Sequence, residues 1–238
     1  MRNRYLQFLY RKKRLHPLAQ INLAALDQLR LSEDARSHRY VVVDLETTGL
    51  DFTQDSILSL SAIRVVNGRI RLGETLDELV NPGGSIPLSS IKIHGIVPDM
   101  VAEARPISEI LDDFLSFLGV DVIVAHHARF DLSFLNKVMR SRYGFSLQNA
   151  GLDTALMCRE LFSRDVSKAY AMKDGGNEYG LDSLARQLGV EIHERHTSLG
   201  DALATAMIFQ RGLSWFEEMG SKSLRNLLHL AGVFQGIP

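Results

Sequence analysis

The stretch Tyr40-Val41-Val42-Val43 runs directly into Asp44-Leu45-Glu46. A short apolar, β-branched run reads as a buried strand. Side chains alternate along a strand, so Asp44 and Glu46 point the same way. Two carboxylates at that spacing repel, and each raises the other's pKa. A chain keeps such a pair at the end of a central strand most readily when a hard divalent cation with oxygen ligands sits beside it. The pair therefore predicts an α/β core with a metal site at a strand end, completed by ligands from elsewhere in the chain.

The pattern around this strand predicts the rest of the sheet. Ile57 to Val66 is a second apolar strand. Asn67-Gly68, the preferred pair for a tight hairpin turn, leads into a third strand from Arg69 to Val80. Three strands with short turns make an antiparallel meander, which ends at the loop Asn81-Pro82-Gly83-Gly84. Strands and helices then alternate. Helices are predicted at 107–118, 130–142, 154–163, 181–188 and 199–217, and short strands at 122–125 and 150–153. Alternation of this kind implies parallel pairing. The expected fold is a mixed central sheet with helices on its faces.

Residues 1–38 are expected to form a basic, helical N-terminal extension, with Leu18, Ile21, Ala25 and Leu29 on one face. Residues 39–217 form the main domain, and 218–238 a helical C-terminal extension. The first 14 residues carry Arg2, Arg4, Arg11, Lys12, Lys13 and Arg14 and no acid, in a chain of formal net charge −1. The body is therefore acidic and needs metal ions or local basic patches to hold a polyanion. The leader could grip a nucleic-acid backbone, touch a partner, or be a solvated helix face. The single cysteine, Cys158, fits a reducing cytoplasm. No apolar run is long enough to span a membrane.

Three further acidic positions stand out: Asp131 and Asp201 near helix starts, and Asp153 at a strand end. Each has an ordinary structural reading. Asp201 could complete a capping box with Ser198. Asp131 could favour the positive end of its helix, and Asp153 could cap the helix beginning at Thr154. Asp44 and Glu46 could be turn formers, and His196 a surface histidine. Their joint occurrence favours a shared site.

Three segments carry a family resemblance. Asp44-Leu45-Glu46-Thr47-Thr48-Gly49-Leu50, Ala125-His126-His127-Ala128-Arg129-Phe130-Asp131 and His196-Thr197-Ser198-Leu199-Gly200-Asp201-Ala202 resemble, in order and context, the three motifs of the DEDD 3′–5′ exonucleases. That family includes the proofreading epsilon subunit of bacterial DNA polymerase III. Asn81-Pro82, Ile93-His94-Gly95-Ile96, Leu152-Asp153-Thr154 and Leu181-Asp182-Ser183-Leu184-Ala185 are also similar to it. The resemblance covers about residues 39–212. A histidine five residues before the last Asp marks the His (DEDDh) subtype, and here that residue is His196. The second motif has His127 where the family usually has Asn, and the third has Ser198 where Ala is commoner.

The resemblance implies a ribonuclease-H-like fold and a two-metal phosphodiesterase. Asp44, Glu46, Asp131 and Asp201 would hold two divalent cations, Mg²⁺ or Mn²⁺, and His196 would serve as general base. Histidine suits that task because its ordinary pKa is about 6.5. Thr47, Thr48, Gly49, Leu50, His127 and Phe130 would contact the terminal nucleotide. The expected substrate is a nucleic-acid 3′ end, single-stranded DNA in preference, releasing nucleoside 5′-monophosphates. An RNA-processing exoribonuclease and a non-catalytic binding or scaffold domain are the alternatives. A polymerase partner is expected for a proofreader, and Gln210 to Phe216 faintly resembles a sliding-clamp-binding peptide. No membrane association is expected.

Overall fold

The computed structural model describes residues 16–164 and 178–233. The basic residues of the leader lie outside them. The sheet has six strands in the order β3-β2-β1-β4-β5-β6. These are β1 (Arg39–Thr47), β2 (Ile57–Val66), β3 (Arg69–Leu79), β4 (Val122–Ala125), β5 (Gly151–Asp153) and β6 (Gly232–Val233). The first three pair antiparallel. β4 joins β1 in parallel, and β5 joins β4 in parallel. The meander followed by parallel strands thus matches the expectation from sequence. The hairpin joining β2 to β3 turns at Asn67 and Gly68, both with positive φ (52° and 68°), as a primed two-residue turn demands.

Nine α-helices occur among the described residues: α1 (Pro17–Gln28), α2 (Leu88–His94), α3 (Pro98–Val101), α4 (Ile107–Leu118), α5 (Arg129–Tyr143), α6 (Thr154–Ser163), α7 (Leu181–Leu188), α8 (Ser198–Glu218) and α9 (Leu224–Ala231). Alternation along β1 divides them between two faces. Val41, Val43 and Leu45 pack with Ile110, Phe114, Phe134 and Leu135 of α4 and α5. Tyr40 and Val42 pack with Ala206, Phe209 and Leu213 of α8 and with Leu227 of α9. The same period sends Asp44 and Glu46 toward the face that α8 covers.

Three features differ from the sequence reading. First, Ile21 is 44% exposed, while α1 buries Ala19, Asn22 and Ala25. The polar Asn22 goes inward because it bonds with Asn149 and accepts the Gln148 N–H, and a satisfied amide is cheap to bury. Second, the stretch after residue 220 is not all helix. Gly232–Val233 adds β6 antiparallel to β5, and Leu224, Leu227 and Ala231 sit in the core. Third, the short helices α2 and α3 lie between the loop at 81–84 and the helix from 107, where the sequence reading assigned no element. They tuck Ile96 and Val101 against Leu58. Within α8, Leu213 and Phe216 are buried, so the stretch resembling a clamp-binding peptide has its apolar residues in the core.

Candidate active site

The site forms at the carboxyl ends of β1 and β4, where the sheet changes from antiparallel to parallel. Crevices at such points are the usual binding positions in open α/β sheets. β1 delivers Asp44 and Glu46, and α8 brings Asp201 opposite them. Oxygen atoms of Asp44, Glu46 and Asp201 lie within 4.8 Å of one another. Their meeting depends on where α8 starts. Ser198 hydrogen-bonds to Ser59 Oγ (2.8 Å) and Ser61 Oγ (2.6 Å) of β2, which fixes the first turn over the sheet. The cap of α8 is Thr197, whose Oγ1 accepts from Gly200 N at 3.1 Å. The capping box that Ser198 and Asp201 offered as an alternative reading is not formed, and Asp201 is left to face the strand pair. Gly200 is required here because a Cβ would collide with the backbone carbonyls of His193 and Glu194.

Asp131, expected as a fourth ligand, comes from the other face and is not among the three carboxylates whose oxygens lie within 4.8 Å of one another. It is buried in the first turn of α5, and its Oδ1 accepts from Leu45 N at 3.1 Å. Its charge also acts on Asp44. Asp153 has a separate task. It caps α6 through Ala155 N (2.9 Å) and also accepts from His127 N (3.2 Å) and Ala128 N (3.1 Å). The expected helix cap is therefore present, and it also holds the turn that precedes Asp131.

Electrostatic strain concentrates on the carboxylates. Burial raises the Asp44 pKa well above the usual range, and the charges of Asp131, Asp201 and Glu46 add to the rise. Burial and the Asp201 charge push Glu46 up to about 7. Asp131 is raised by burial against the pull of backbone N–H groups, including that of Leu45. Asp201 is raised by burial, opposed by Arg195 and His196. One oxygen of Asp201, Oδ1, is buried and has no hydrogen-bond partner. An oxygen-only donor set, raised carboxylate pKa values and a bare buried oxygen together fit a hard divalent cation.

The remaining expected residues differ in exposure. His196 is exposed, with φ 63°, and His127 is exposed, with φ 53°. Left-handed backbone at bulky residues is sparsely populated and costs about 1–3 kcal/mol each. Leu50 is 85% exposed. Thr47 and Thr48 are buried, and their hydroxyls are used inside the turn, on Gly49 O (2.7 Å) and Asp55 Oδ1 (3.1 Å). Gly49 has a structural reason to lack a side chain, since a Cβ would run into the Asp55 carboxylate. Phe130 is half-buried and packs on Phe134, the ring centroids 5.0 Å apart and the planes tilted by 56°.

His94 is buried, and its Nδ1 accepts from Ile96 N at 3.0 Å. His126 lies under His127, bonds Thr154 Oγ1 at 2.9 Å, and burial drives its pKa down to about 3. Sequence reasoning did not single out Arg195. Its guanidinium pairs with Asp201 and with Asp182 (2.8 Å) and approaches His196 Nδ1 at 3.3 Å. Its position directly before His196 was the available signal.

Known proteins resemble this chain in sequence and in fold. The exonuclease (RNase_T) family model matches residues 41–209. A DNA polymerase III subunit epsilon-like protein of Rhodobacter capsulatus is 41% identical over 184 residues, 76% of this chain and 24% of that protein. The chain thus spans about a quarter of that relative's length. The DNA polymerase III subunit epsilon of Aquifex aeolicus is 32% identical over 191 residues, 79% of this chain and 88% of that one. Among solved structures, the nuclease domain of 3′hExo, described as a DEDDh family member bound to rAMP, has the same fold. It superposes with a TM-score of 0.60 at 16% identity, covering 76% of this chain and 94% of that one. With a ribonuclease-H-like sheet, an acidic cluster at the ends of its strands and relatives of this kind, the chain belongs to the exonuclease family and has DNA polymerase III epsilon-like homologues.

Proposed function

We propose that the chain is a metal-dependent 3′–5′ exonuclease that removes nucleoside 5′-monophosphates from single-stranded DNA ends. The observation that carries this reading is the convergence of Asp44, Glu46 and Asp201 within 4.8 Å, in a chain of the exonuclease family.

Asp44, Glu46 and Asp201, with Asp131 behind them, would hold two divalent ions. Mg²⁺ or Mn²⁺ suits carboxylate oxygens. Bound there, the ions supply neutralisation of the carboxylates and stabilisation of charge on the attacking and leaving oxygens. The protein's own groups do the rest. His196 takes the proton from the attacking water. A guanidinium only donates, so in the contact with Arg195 the imidazole Nδ1 is the accepting nitrogen. Proton transfer to Nδ1 therefore displaces that contact.

The exposed Leu50 offers apolar surface to the terminal base or sugar. The turn of Thr47, Thr48 and Gly49 shapes the floor, and His127 and the edge of Phe130 border the terminal nucleotide. A terminal nucleotide must leave its partner strand to reach the carboxylates, which favours single-stranded ends. Association with a polymerase is proposed from the relatives' names alone, and the buried Leu213 and Phe216 lend no support to clamp docking.

The test is degradation of matched, 5′-labelled DNA and RNA oligonucleotides, single- and double-stranded, with Mg²⁺ or Mn²⁺. Stepwise shortening of single-stranded DNA, abolished in folded Asp44→Ala protein, is expected. Normal rates in that variant would overturn the assignment.

A further inference from the structure

Arg195 contacts three groups of the site region. Its Nη1 donates to Asp201 Oδ2, its Nε donates to Asp182 Oδ1 at 2.8 Å, and Nη1 lies 3.3 Å from His196 Nδ1. The side chain is 30% exposed, while that of Asp201 is 8% exposed. The two oxygens of Asp201 are consequently unlike. Oδ2 is occupied by the guanidinium, and Oδ1 is buried with no hydrogen-bond partner. Asp182 sits in the first turn of α7, on a different element from the other site residues. A chain of contacts therefore runs from α7 through the fork of Arg195 to the carboxylate that α8 presents.

Carboxylates that ligate metals are themselves hydrogen-bonded by outer partners, which fix the rotamer of the ligand. A planar guanidinium with several donors can serve two carboxylates at once, and an ammonium cannot do so with the same geometry. We propose that Arg195 is a positioning residue. By holding Oδ2 it turns Oδ1 of Asp201 toward Asp44 and Glu46, and Asp182 holds Arg195 in place. The proposal rests on the reading of the acidic cluster as a divalent-cation site. It assigns Arg195 and Asp182 an outer role in that site, outside the set of groups that would ligate the cation.

The alternative is simple electrostatics. Arg195 is a cation beside a cation site, and its field opposes the raised pKa of Asp44 and Glu46. If that repulsion were its whole effect, removing it would tighten metal binding. Positioning predicts the opposite sign.

The experiment is calorimetric titration of the metal-free full-length protein with Mn²⁺, without substrate, on wild type, Arg195→Gln, Arg195→Lys, Asp182→Asn and the double variant Arg195→Gln/Asp182→Asn. Circular dichroism confirms folding in each. Arg195→Gln is expected to bind Mn²⁺ roughly tenfold or more weakly, in the range of lost outer-shell partners. Arg195→Lys, which keeps the charge but not the fork, stays weakened. Asp182→Asn weakens binding less, and the double variant is no weaker than Arg195→Gln, because Asp182 acts through Arg195. Tighter or unchanged binding in Arg195→Gln overturns the proposal, as do additive losses in the double variant. If wild type itself binds no Mn²⁺, the metal-site reading fails instead, which separates the two.

Discussion

Leu45 donates its backbone N–H to Asp131 Oδ1 at 3.1 Å, so the acidic residue of α5 is tied to β1 one position from Asp44. The same carboxylate thus does a structural and an electrostatic task, and substitution can separate them. Asp131→Asn keeps the acceptor oxygen and loses the charge. It should unfold in urea near the wild-type midpoint while exonuclease activity drops by about 100-fold or more. Asp131→Ala should also lose about 1–3 kcal/mol of stability, because the buried Leu45 N–H loses its partner. Equal stability of the two variants would contradict this division.

His196→Ala should lower kcat by about 10²–10⁴, the usual contribution of a general base. Mn²⁺ affinity should change little, since His196 is outside the carboxylate set. Its neighbour Thr197 caps α8 and donates its hydroxyl to Glu194 O at 2.7 Å, so Thr197→Ala should cost about 1 kcal/mol in chemical denaturation. Thr197→Ser should recover most of that loss.

The metal-free protein should become less stable as pH rises from about 5 to 8. Glu46 has an ordinary pKa of 4.5 and reaches about 7 in the fold, and Asp44, Asp131 and Asp201 shift in the same direction. A raised carboxylate pKa means that the folded state binds more protons than the unfolded chain. Its stabilising effect is therefore complete below the unfolded pKa and is lost as pH climbs through the folded value. Tm measured in EDTA should fall across this window. The Tm gain from saturating Mn²⁺ should grow across it, because ligation needs ionised carboxylates. A Tm in EDTA that rises from pH 5 to 8 would contradict the shifts.

Gly49→Ala should damage the first motif through Asp55. The new methyl meets the Asp55 carboxylate, which also holds Thr48 Oγ1 and the Asp51 N–H. Overpacking of this kind costs about 1–3 kcal/mol. Combining Gly49→Ala with Asp55→Ser should restore part of the loss, and a double-mutant cycle on unfolding free energy measures that coupling. Strict additivity would show that the two side chains do not compete for the same space.

Much of this architecture is legible in the sequence because its signals are local. Alternation in residues 40–46 fixes which side chains share a face, Asn67-Gly68 fixes a hairpin, and helices at 107–118, 154–163 and 181–188 follow from periodicity with capping residues or turns at their ends. The face that α1 buries was not legible, since Asn22 goes inward only because Asn149 is waiting for it 127 positions away. The strand β6 was equally hidden. Two residues carry no period of their own and become a strand only by pairing with β5.

The division in the site has the same physical origin. Sequence alone determined that Asp44 and Glu46 emerge together from a buried strand and that their repulsion calls for a cation. The positions of Asp131, His196 and Asp201 came from order and context in the motifs. Tertiary structure decided which carboxylates meet: the docking of Ser198 against Ser59 and Ser61 of β2 sets the start of α8, Thr197 caps it in place of the alternative capping box, and Asp201 is left facing the strand pair. It also decided that Arg195 bridges Asp182, Asp201 and His196, because a long side chain chooses its partners by where separate helices dock, and spacing along the chain does not encode that.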